Sequence, residues 1–162
     1  RELYASWGYS RVEVPALERF DEATIHEHHE LYGILTGIVT GRAATNPTPR
    51  ILAHLDSSLR VFEAAQDSVQ FQDACWAYRT VLNEEYAGPR LQAAIRALQS
   101  FVPNRFWNYP DSSTDFRPVY EEEISAIRRG DADAARLSCV KRAELMAKIM
   151  LDKLTDSGVL GG

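Results

Sequence analysis

The chain has 162 residues, of which 45% are hydrophobic, 25% charged and 10% aromatic, the composition of one medium-sized globular domain rather than of a disordered or fibrous chain. A domain of this length buries roughly 70% of the surface its unfolded chain exposes, enough for a core without disulfides or structural metals, and its two cysteines, Cys75 and Cys139, imply no secreted disulfide framework. Eighteen basic against twenty-three acidic side chains leave a formal charge of −5, the wrong sign for a surface that tracks phosphates unaided, and no apolar run approaches the ~20 residues of a membrane span.

Residues 1–22 read as a linker or N-terminal arm. They carry scattered aromatics, Tyr4, Trp7 and Tyr9, then a short alternation from Val12 to Val14 that Pro15 ends. The chain opens on Arg1 rather than methionine, as a processed product or a fragment would, and lacks the basic-then-apolar layout of a secretory signal, so a cytoplasmic location is expected.

From Ala23 onward apolar residues recur at helical spacing with no sustained alternation, which predicts an all-α domain over 23–154 and a frayed tail over 155–162. A first helix is expected from about Ala23 to Ala44, with Ile25, Leu31, Ile34, Leu35 and Ile38 as its buried stripe and Asn46-Pro47 as its stop. Gly33, Gly37 and Gly41, spaced four apart, either weaken this helix or let another helix approach it closely. Thr48-Pro49, a capping hydroxyl followed by a first-turn proline, starts a second helix whose stripe is Ile51, Leu52, Leu55, Leu59 and Phe62.

A third helix from about Val69 to Tyr86 ends at Ala87-Gly88-Pro89, which launches a fourth through Leu91, Ile95, Leu98 and Val102 that Pro103 bends or ends. After a polar loop from Asn108 to Asp115, a fifth helix is expected from near Pro118 to Arg129. Gly130-Asp131 then supplies a C-terminal glycine and an N-cap for a last long helix to about Leu154. Six helices with short links make an antiparallel bundle.

Several polar side chains fall on the apolar stripes. In the third helix Phe71, Cys75, Tyr78, Leu82 and Tyr86 share a face, and Arg79 lies four after Cys75 and three before Leu82. In the last helix Cys139, Met146 and Ile149 mark a stripe on which Arg142 has the same kind of place; in the fifth, Phe116, Tyr120, Ile124 and Ile127 include the phenol of Tyr120. An inward guanidinium needs a carboxylate such as Glu84 or Glu123, water, a route to the surface, or an anionic guest.

His26, His28, His29 and Glu30 invite a metal reading, but with only His54 besides, a solvated first turn explains them better. Cys75 has no histidine beside it in sequence and reads as a small core hydrophobe; the acidic run Glu121 to Glu123 reads as favourable charge near a helix start.

Three stretches together resemble the C-terminal effector-binding (FCD) domain of FadR-type regulators in the GntR family of bacterial transcription factors: ELYGILTGIVTGRAA at 30–44, CWAYRTVLNEEYAGPRL at 75–91, and YEEEISAIRRGDADAARLSCVKR at 120–142. The core Ala-Ile-x-x-Gly-Asp-x-x-x-Ala, Ala126 to Ala135, is the most specific part. GYSRVEVP at 8–15 is similar to the closing wing strand of that family's DNA-binding head.

The resemblance implies a homodimeric, non-enzymatic sensor that holds a small carboxylate with the help of a divalent metal on one aspartate and three histidines. At those four positions this chain has Cys75, Arg79, Tyr120 and Arg142. Arginine stays protonated and cannot ligate, so no metal or other cofactor is expected. The same four residues become the expected ligand-binding set, with Arg79 and Arg142 supplying the lost cation's charge, Tyr120 a hydrogen bond and Cys75 the wall. The expected partners are a small organic acid or other anionic metabolite, a second copy of the chain, and operator DNA through an upstream winged-helix domain, with no membrane. A helical enzyme using Cys75 or Tyr120, or a dimerising scaffold with a vestigial pocket, are the alternatives.

Overall fold

The computed structural model describes residues 21–100, 112–156 and 158. The arm residues 1–20, Val102, Pro103, residues 108–111 of the expected polar loop, and residues 157 and 159–162 of the expected tail lie outside them. Among the described residues there are six helices and no strands: α1 (Glu22–Thr45), α2 (Pro49–Ala64), α3 (Ser68–Tyr86), α4 (Pro89–Gln99), α5 (Ser112–Arg128) and α6 (Ala132–Asp156). The all-α bundle read from periodicity is the fold observed.

Local chemistry sets the helix starts. Asp21 and Thr24 form a reciprocal capping box on α1, Thr48 caps α2 with Pro49 in the first turn, and Asp67 caps α3 through the Gln70 amide at 2.8 Å. Between α5 and α6, Gly130 takes a positive φ of 73° and Asp131 accepts from the Ala134 amide at 3.0 Å, so one dipeptide ends a helix and begins the next.

α1 is the central element and packs most extensively along α6, with α3, α4 and α5 around it. Its inner face differs from the expected one. Leu31 and Ile34 are both 48% exposed, while Gly33, Thr36, Gly37, Val39, Thr40, Gly41, Ala43 and Ala44 are buried. The reason is close approach: a Cβ at Gly33 would meet the Ala143 Cβ at 2.9 Å and the Val140 Cα at 3.2 Å, so the glycine ridge seats α6 backbone to backbone. On α6 the buried stripe is correspondingly Ala135, Cys139, Arg142, Ala143, Ala147 and Met150, with Met146 and Ile149 only half-buried. In α2, Leu52 is exposed while Ile51, Leu55 and Phe62 are buried.

α5 begins at Ser112, six residues before the expected start, and carries Pro118 inside it. The proline ring lies on the exposed face, where water can serve the carbonyl that loses its amide partner. This moves Glu121, Glu122 and Glu123 to mid-helix. A favourable end-of-helix charge therefore does not account for them.

Candidate functional site

Four helices bring their inward polar residues to one place in the core. α3 supplies Cys75, Tyr78 and Arg79; α5 supplies Tyr120 and Glu123; α6 supplies Cys139 and Arg142; and α1 supplies Thr36 and Thr40. All four residues picked out by spacing are buried: Cys75, Arg79, Tyr120 and Arg142 are 6%, 4%, 8% and 2% exposed. Both guanidinium groups therefore lie inside the bundle.

Glu123, 0% exposed, is the centre of the cluster. Arg79 Nη2 donates to its Oε1 at 2.5 Å, and Arg142 Nη1 forms a short ion pair with its Oε2. Tyr78 donates its hydroxyl to Oε1 at 3.0 Å, and the Thr40 hydroxyl lies 3.2 Å from the same oxygen. The remaining guanidinium contacts go to α1: Arg79 Nη1 donates to Thr40 Oγ1 at 2.9 Å and Arg142 Nη2 to Thr36 Oγ1 at 3.3 Å. Cys139 donates its thiol to Thr40 Oγ1 at 3.2 Å.

Spacing had offered Glu123 as one possible arginine partner without placing it on the site. Phe116, Tyr120, Glu123 and Ile127 recur at intervals of four, three and four, one helical face, and that signal was available beneath the run of three glutamates. Thr36 and Thr40 lacked such a signal, because a buried threonine on a helix satisfies itself through its own backbone, here Tyr32 O at 2.8 Å and Thr36 O at 3.0 Å.

The aromatic rings complete the walls. The Arg142 Cζ lies 5.1 Å from the Tyr120 ring centroid and the Arg79 Cζ 5.2 Å from that of Tyr78. Tyr120 in turn packs on Phe62, Phe71 and Tyr78 at centroid distances of 5.2, 6.2 and 5.6 Å.

Protonation follows from burial and these charges. Burial pushes the Glu123 carboxyl up, but Arg79 and Arg142 outweigh it and hold it below its ordinary value. Burial raises both tyrosines far above theirs and pushes the Cys75 thiol up to about 12. The set at neutral pH is thus two cations, one carboxylate and neutral phenols and thiols. It does not fit a divalent cation: two of the four carried-over positions hold permanent positive charge and the other two hold protonated, poorly ligating groups.

A hollow of about 300 Å³ lies elsewhere, between α1 and α6, lined by His26, His29, Glu30, Ile34, Val140 and Glu144 among others. It contains two of the histidines of the early cluster; among the described residues no group of three or more His, Cys, Asp or Glu side chains is arranged to hold a metal ion.

The FCD domain model matches residues 27–141, a span that contains the whole Glu123 cluster except Arg142. The chain belongs to the FCD domain family. It is the effector-binding type of domain found in GntR-family regulators, and membership sets it apart from the enzymes that a buried cysteine and tyrosine had left as an alternative. Over 145 residues it is 52% identical to an uncharacterized HTH-type transcriptional regulator of Mycobacterium tuberculosis strain CDC 1551 / Oshkosh, and equally to one of strain H37Rv. The match covers 89% of this chain and 59% of each relative, so the FCD chain spans about three fifths of the length of the curated relatives it matches. No helix among its described residues is long and apolar enough to cross a membrane.

Proposed function

We propose that this FCD chain is the ligand-sensing and dimerisation domain of a cytoplasmic FadR-type bacterial transcriptional regulator. It binds a small anionic metabolite without metal at Cys75, Arg79, Tyr120 and Arg142, and thereby modulates operator binding by an upstream winged-helix domain. The observation that carries this reading is that Arg79 and Arg142 are both buried against a single bonded carboxylate, Glu123, on the interior face of the bundle. Guanidinium forks in such a place meet a carboxylate or phosphate directly. The relatives' description as HTH-type regulators, and their greater length, support a DNA-reading head elsewhere in the protein. Ligand would act by favouring one arrangement of two protomers over another, which requires differential affinity for the two.

Titration calorimetry with a set of small organic acids on wild type, Arg142→Ala and Tyr120→Phe tests the assignment. Loss of affinity in both variants is expected; unchanged affinity for an acid that binds wild type overturns it.

One observation favours a second reading, a dimerising scaffold with a closed interior: Glu123 already engages both arginines, as an anionic guest would. On that reading no acid binds wild type, while sedimentation still reports a dimer.

A further inference from the structure

Three formal charges meet in the cluster, two positive and one negative. Arg79 and Arg142 are permanently cationic, and Glu123 is the one carboxylate bonded to either of them among the described residues. The tyrosines and cysteines around them are neutral. The cluster therefore carries a surplus of one positive charge at a place that water scarcely reaches.

We propose, on the strength of the effector reading above, that Glu123 sets the valence of the guest: the site takes a monocarboxylate in preference to a dicarboxylate or a phosphate monoester. A buried charge is costly unless paired, so the site gains most from an anion that cancels its surplus. A second negative charge on the guest would have to be desolvated with no cation left to meet it, and would face the Glu123 carboxylate.

The geometry has room in its hydrogen bonding for such a guest. Each guanidinium makes two of the bonds described, Arg79 to Glu123 and Thr40 and Arg142 to Glu123 and Thr36, out of five N–H groups. Among the cluster's side chains Tyr120 and Cys75 keep 8% and 6% of their surface exposed, whereas Tyr78 and Glu123 keep none. A carboxylate that engages the Arg142 guanidinium does so beside the Tyr120 ring, whose centroid lies 5.1 Å from the Arg142 Cζ. Phe62 and Phe71 pack on the Tyr120 ring, an apolar surround that suits an apolar tail rather than a second acid group.

Resident and guest carboxylates thus divide the two arginines between them. Glu123 also becomes the residue that determines specificity, because neutralising it leaves two unmatched cations and a site suited to a dianion.

The test is calorimetry of the 162-residue chain with butanoate and succinate, acids of equal chain length and different valence, on wild type and Glu123→Gln. Wild type should bind butanoate at least roughly tenfold more tightly than succinate, and Glu123→Gln should abolish or invert that preference. Wild-type binding of succinate as tight as or tighter than butanoate overturns the valence rule and leaves the effector reading standing. Failure of both acids to bind wild type overturns both. The wild-type comparison decides the matter if circular dichroism shows Glu123→Gln to be unfolded.

Discussion

Arg79 Nη2 and Glu123 Oε1 are 2.5 Å apart across 44 positions of sequence, and neither residue has an alternative in water. An ion pair of this kind contributes little net stability compared with an apolar pair of the same shape, but removing one member strands the other charge. Glu123→Ala leaves two buried guanidinium groups without a carboxylate and should cost about 3 to 5 kcal/mol in a urea unfolding experiment. Glu123→Gln keeps the hydrogen-bond acceptor and should cost less. A loss below about 1 kcal/mol for Glu123→Ala would mean that water reaches the cluster freely.

The same pair shows how much of the molecule was legible beforehand. Helix boundaries were readable where chemistry is local: Thr48-Pro49 and Gly130-Asp131 each state a cap within two residues. The inward arginines were readable too, because Phe71, Cys75, Tyr78 and Leu82 define a face and Arg79 falls beside it. The inner face of α1 was not. Spacing assigned Leu31 and Ile34 to the core by their apolarity, but the position of α6 is decided by smallness at Gly33, Gly37 and Gly41, whose four-residue spacing offers close helix approach as one of two readings that the contact with α6 then decides. Glu123 had the right period, yet nothing local marks which of three adjacent glutamates turns inward. The start of α5 escaped because Ser112, Ser113, Thr114 and Asp115 are cap and turn formers ahead of a proline, and tertiary context overrode them.

The glycine ridge separates two substitutions that look alike in sequence. Each Gly→Ala change in a helix gains up to about 1 kcal/mol from propensity. At Gly33 the added methyl meets the Ala143 Cβ at 2.9 Å and the Val140 backbone at 3.2 Å, neither of which can swing aside, so overpacking of about 1 to 3 kcal/mol should prevail and lower the melting temperature. At Gly41 the neighbours are side-chain atoms of Arg136, half-exposed and paired at 2.9 Å with Asp133. That side chain can move at the cost of a surface ion pair, and Gly41→Ala should be neutral to stabilising. Differential scanning calorimetry of the two variants reads the contrast, and equal melting temperatures would contradict the close packing of α1 on α6.

Stability should fall in acid in two stages. Burial and the neighbouring His29 lower the His28 pKa from 6.5 to about 4, and burial lowers that of His29 as well. Between about 6.5 and 4 the unfolded chain then binds more protons than the folded one, so stability decreases as pH drops through that window and levels off below it. Glu123 acts lower down: its folded pKa is depressed, so the stability it carries is present above its ordinary value of 4.5 and is lost as pH falls through the folded value. Melting temperature measured from pH 8 to pH 3 should be flat at first and then decline from about pH 6.5, with a shallower decline between pH 6.5 and 4 for His28→Gln. An identical slope in that variant would assign the first stage to other groups.

Cys75 provides a chemical reading of the same interior. Its thiol is pushed up to about 12, chiefly by burial, and its side chain is 6% exposed, so at pH 8 the thiolate that would attack a disulfide reagent is scarce as well as shielded. In a Cys139→Ser background, Ellman's reagent at pH 8 should modify native Cys75 at least about a thousandfold more slowly than an exposed cysteine, with the rate rising to the free-thiol value in urea. Modification within tenfold of the free thiol would show an open channel to the Tyr120 side of the cluster, and a pair of arginines that water, rather than Glu123 and a guest, keeps solvated.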